Sequence, residues 1–99
     1  MDRDTTTYTP PTRLPNELPR ANVLEAVLAE RERQDAKWGD QTQNSDEHWT
    51  VILTEEVGEV AREVYEKRSA GMFEEVIQCA AVCVAWAEAY LNRGALKNG

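Results

Sequence analysis

The chain has 99 residues, enough for one small domain with a limited core, so self-association is an expectation from the start. Eighteen acidic against 11 basic residues leave a formal net charge of −7, which argues against nucleic acid as a partner, because phosphate backbones are held by clustered Lys and Arg. The N-terminal residues are polar and lack the apolar segment of a signal peptide, and the most apolar stretch, Cys79 to Ala87, falls well short of the about 20 residues a membrane span needs; a cytoplasmic protein without a membrane partner is expected.

Residues 1 to 19 hold all four prolines (Pro10, Pro11, Pro15 and Pro19) and predict a flexible, extended N-terminal arm that cannot form a helix. From Arg20 to Trp38 the pattern turns helical. Val23, Ala26 and Val27 lie on one side with Leu24 and Leu28 close by; Glu30 to Arg33 form a solvated run, and Gly39 supplies a C-terminal stop. Residues 39 to 47 read as a loop.

A second helix is predicted from about His48 to Ser69, capped by Ser45 or Asp46. At 100° per residue, Leu53, Val57, Val60 and Val64 share an apolar arc, and Glu55, Glu56, Glu59, Glu63 and Glu66 fall on the arc beside it. Gly58 costs this helix about 1 kcal/mol relative to Ala and suggests the close approach of another helix or a ligand. A short loop around Ala70 and Gly71 leads to a third helix, from about Met72 to Asn92, with residues 93 to 99 as a frayed tail. Between Val76 and Ala87 this helix is apolar all round except for Gln78, which implies burial on every side and hence a subunit interface. Cys79 and Cys83, four apart, read as small core residues in a reducing compartment. The fold class expected is all-α: an antiparallel bundle of about three main helices, over residues 20 to 92, completed by oligomerisation.

The chemistry lies in Glu55, Glu56, Glu59, Glu75 and Gln78. Glu56 and Glu59 are three apart and project from one helix face; Glu75 and Gln78 repeat the spacing on the next helix. If the helices pack antiparallel, the pairs converge. Carboxylates at close range repel unless a cation sits among them, and their oxygens are the hard ligands that Mg²⁺ prefers. Acidic stripes are more often solvated faces, and a bare E-E-x-x-E is weak. The polar pair at the mouth of an apolar helix adds weight to the sharper reading. Lys37 and Trp38 are candidates for phosphate and base contacts, weighed equally against a solvated Lys37 and a Trp38 packed on the bundle. Arg62 and Lys67 more simply pair with Glu66 or Glu63, His48 is a helix-start residue, and Trp49 and Trp86 are core or interface aromatics.

LTEEVGEVAREV (53 to 64) followed by EEVIQCAAVCVAWAEA (74 to 89) resembles the MazG-like branch of the all-alpha nucleoside triphosphate pyrophosphatases, and ERERQDAKWGDQ (30 to 41) resembles the first-helix segment of small members. The resemblance covers about residues 22 to 91. It implies an enzyme that cleaves nucleoside triphosphates between the α and β phosphates. It also implies Glu56, Glu59 and Glu75 as ligands of Mg²⁺ (or Mn²⁺), Glu55 or Glu56 as the catalytic carboxylate, and a homodimer or homotetramer. The family motif ends in Asp where this chain has Gln78, which brings an oxygen but no charge. A different class of reading follows from that departure: a non-catalytic helical oligomerisation or regulatory module with a weakened metal site.

Overall fold

A computed structural model describes residues 17–67 and 69–95. The described residues form three helices, α1 (Glu17–Trp38), α2 (Asp46–Tyr65) and α3 (Ser69–Tyr90), the last running into a kinked π turn, Leu91–Ala95, in which Arg93 and Gly94 leave helical geometry. No strand occurs among the described residues, and the fold is all-α as expected. α1 and α2 each pack against α3 rather than against one another.

Local chemistry sets the helix ends. α1 begins at Glu17, so Pro19 lies within its first turn, contrary to the expectation that residues up to 19 stay out of a helix. Proline is tolerated there because first-turn N–H groups have no intrahelical acceptor. The rest of the expected arm, residues 1–16, lies outside the described residues. Gly39, at φ +77°, ends α1 in the left-handed region and donates its N–H to the Asp35 carbonyl at 2.9 Å. Ser45 is the N-cap of α2, its hydroxyl accepting from the His48 N–H at 3.1 Å. α2 stops at Tyr65, short of Ser69, where Glu66 closes on the Arg62 carbonyl and Lys67 turns into the left-handed region at φ +60°.

The turn before α3 is therefore earlier than expected, and Gly71 lies inside α3. A Cβ on Gly71 would sit 2.9 Å from the Glu63 carboxylate, so this glycine lets α2 close onto α3. Gly58 has no such neighbour among the described residues. The expected frayed tail is partly structured. Arg93 in the π turn donates to the Asp46 carboxylate, which also accepts from Trp86 Nε1 at 2.8 Å, tying the end of α3 to the start of α2.

The core has two centres. Trp49, only 2% exposed, packs with Val82, Ala85 and Ala89 between α2 and α3, with Ile52 and Leu53 against it. Val27 packs with Ile77 and Ala81 between α1 and α3. One expectation is corrected. Val57 and Val64, expected in the apolar arc of α2, are about half exposed at 50% and 55%. α2 is turned so that Trp49, Leu53 and Glu56 face α3 instead. Within the single chain the third helix is buried along Ile77, Ala81, Val82, Ala85 and Ala89, and Val76, Cys83, Ala87 and Tyr90 are exposed. Two helices cannot cover the circumference of a third.

Candidate functional site

The antiparallel packing of α2 on α3 places Glu56 opposite Glu75, the convergence expected from their spacing. One carboxylate oxygen of each is buried without a hydrogen-bond partner. Burial lifts the Glu56 carboxyl above its ordinary range, and the nearby charges of Glu75, Glu59, Glu30 and Glu55 lift it further. Burial likewise raises Glu75, helped by Glu59, Glu63 and Glu74 and opposed by Arg62. Glu59 joins this field and pairs loosely with Arg62 at 3.4 Å. Glu55 is exposed at the edge of the cluster. The Cys79 thiol, pushed up by burial, also feels Cys83 and Glu56, which sets it on the flank of the site; both cysteines are free.

Gln78 stands beside a cleft of about 390 Å³ between α1 and α3, with Glu30, Arg33 and Glu74 at its rim. Glu30 is the residue that sequence reasoning missed. Its side chain is 12% exposed, held by the Arg33 guanidinium at 2.6 Å, and its charge reaches Glu56. The expected solvated run is corrected here, for Arg31 is equally covered and bridges Asp35 at 3.0 Å and Glu88 at 2.6 Å. The signal was present: Glu30 and Arg31 continue the Val23, Ala26, Val27 stripe at helical spacing.

Lys37 and Trp38 are brought to one another, with the ammonium 4.9 Å from the indole centroid and Trp38 60% exposed in the single chain. They lie two turns, about 10 Å along the helix, beyond Glu30.

Carboxylate and amide oxygens are the donor set that a hard divalent cation takes, and the two orphaned oxygens on Glu56 and Glu75 fit one. Among the described residues no three His, Cys, Asp or Glu side chains form a ready-made metal-holding group. Comparison with family models, with characterised proteins and with solved structures finds no match to this chain.

Proposed function

We propose that the chain is a Mg²⁺-dependent nucleoside triphosphate pyrophosphohydrolase, giving the monophosphate and pyrophosphate. The observation that carries the reading is the pair of unpartnered, half-buried carboxylates, Glu56 and Glu75, facing one another from α2 and α3 with Glu59 beside them. Two like charges brought together out of water cost stability, and the arrangement is understandable if a cation offsets that cost. Glu56, Glu59 and Glu75 would hold the ion, with the Gln78 amide oxygen as a neutral fourth donor. When bound, Mg²⁺ neutralises phosphate charge and lowers the pKa of a coordinated water.

The chain's own residues supply the remainder. Glu55, exposed at the rim, is free to orient the attacking water and take its proton. Lys37 over Trp38 offers a cation and an aromatic face to the nucleotide. Pyrophosphate release from a panel of nucleotides, with and without Mg²⁺, tests the reading, with Glu56→Gln and Glu59→Gln as controls. Metal-dependent turnover lost in both variants supports it; no turnover on any nucleotide removes it. The runner-up, a non-catalytic helical module, is favoured by Gln78, which leaves the site one charge short of the motif it resembles.

A further inference from the structure

A cleft of about 380 Å³ lies where the end of α1 and the loop after it meet α2 and α3. Its volume falls within the about 300–1,000 Å³ typical of small-molecule sites. Trp49 and Ala85 line it with apolar surface, and Arg31, Asp35, Asp40 and Glu88 bring its charges. The cleft is set apart from the carboxylate pair. Along the helix axes Trp49 precedes Glu56 by about 10 Å, and Ala85 follows Glu75 by about 15 Å. None of the residues given metal or nucleotide roles above lines it.

Two nitrogen donors of this lining are left over. Trp49 is 2% exposed, and its Nε1 has no hydrogen-bond partner among the described residues. Trp86 shows the contrast, its Nε1 donating to Asp46 at 2.8 Å. Arg31 commits its terminal nitrogens to Gln34, Asp35 and Glu88, while its buried Nε has no acceptor. Indole and guanidinium nitrogens only donate, so what both lack is an acceptor oxygen. Buried donors without one cost stability, and an occupant of the cleft can supply it. Charge decides what kind of oxygen. One guanidinium meets three carboxylates. Asp35 and Glu88 are more than half exposed beside it. Two hydrogen bonds from Thr42 hold the Asp40 carboxyl below its ordinary range, so it is ionised at neutral pH. That excess repels an anion, which leaves an uncharged oxygen for the two nitrogens and a cation for the carboxylates.

We infer that the cleft binds a small organic ammonium ion carrying an uncharged carbonyl oxygen. The carbonyl turns to the Trp49 and Arg31 nitrogens, and the ammonium to Asp35, Asp40 and Glu88. Both nitrogens lie beneath the cleft surface, so the Arg31 side chain shifts as the oxygen seats. The space equals about a dozen water volumes of about 30 Å³, ample for a molecule of amino-acid amide size. An ordered water is the competing acceptor, but it makes no use of the three carboxylates. The same carboxylates repel a triphosphate, so this site goes beyond the pyrophosphohydrolase reading and stands or falls without it.

The test uses isotope-labelled full-length protein near neutral pH, with neither Mg²⁺ nor nucleotide present. Alaninamide is titrated in while the three indole N–H resonances are followed by NMR. Trp49→Phe identifies the Trp49 resonance by its loss, and sequential assignment does so if that variant does not fold. Trp38, outside the cleft, and Trp86, bonded to Asp46, are internal controls. The Trp49 resonance should shift saturably in the millimolar range while the other two stay in place. Isopropylamine, without the carbonyl, and propionamide, without the ammonium, should each bind several-fold more weakly. Inorganic triphosphate should leave the resonance unmoved. Asp40→Asn keeps an oxygen for Thr42 but removes one charge, and should weaken alaninamide binding several-fold with unchanged helical circular dichroism. The inference is overturned by no saturable shift at Trp49 (the result an ordered water alone would give), by propionamide binding as well as alaninamide, by a shift on adding triphosphate, or by wild-type affinity in Asp40→Asn.

Discussion

Glu56 is the residue whose environment most contradicts its chemistry. Its carboxyl is raised by burial and by its acidic neighbours. A carboxyl that binds its proton more tightly in the folded chain weakens the fold as it ionises. The metal-free protein should therefore lose stability as pH rises from the ordinary carboxyl value of 4.5 through the raised value, and the loss should be complete above it. Glu56→Gln removes this term, so its melting temperature should exceed that of wild type at pH 7 and approach it near pH 4. Equal melting temperatures at both pH values would mean that Glu56 is solvated. Asp46 has the opposite sign. Arg93 and Trp86 hold its carboxyl below the usual range, so its contribution is present at neutral pH and lost as pH falls through that lowered value. Gln78 is the informative neutral position. Gln78→Asp adds a charge beside Glu30 and Glu74, and one unit of coupling is worth about 1.4 kcal/mol, or about tenfold in affinity. Calorimetric titration should show tighter Mg²⁺ binding by the variant. Unchanged or weaker binding would place Gln78 away from the cation.

At the scale of the helices, two backbone positions are open to improvement. Lys67 pays the left-handed penalty that glycine escapes. Lys67→Gly should raise the melting temperature, by about 4–8 °C if the gain is about 1 kcal/mol. Gly58 is a helical glycine on which a Cβ would meet nothing within 4 Å among the described residues. Gly58→Ala should stabilise α2 by a similar amount. If the variant is more stable yet loses turnover, an occupant of the site approaches the backbone there, as the sequence suggested. Trp49 is the opposite case, an anchor 2% exposed between α2 and α3. Trp49→Ala should cost about 3–5 kcal/mol, enough to unfold a domain of this size under mild denaturation.

For the molecule as a whole, the small core of the single chain and the oligomer expected from the sequence together predict that stability depends on association. The thermal midpoint should rise with protein concentration, because association that favours the folded state shifts unfolding by mass action. Calorimetry at several dilutions checks this, and a midpoint independent of concentration would describe a self-sufficient monomer. Helix count, order and the pairing of Glu56 with Glu75 were legible in the sequence because spacing along a helix fixes which side chains share a face, and that rule needs only 3.6 residues per turn. Gly39 and Ser45 were legible for the same reason, since caps act within a few residues. The rotation of α2, which exposes Val57 and Val64 and turns Glu56 inward, was decided only by tertiary packing. Trp49 is the largest side chain on that helix and claims the gap against α3, and apolar neighbours a few tens of degrees away are left outside. The approach of Glu30 to Glu56 is of the same kind. It depends on α1 and α2 flanking α3, a relation between elements distant in sequence that no local pattern encodes.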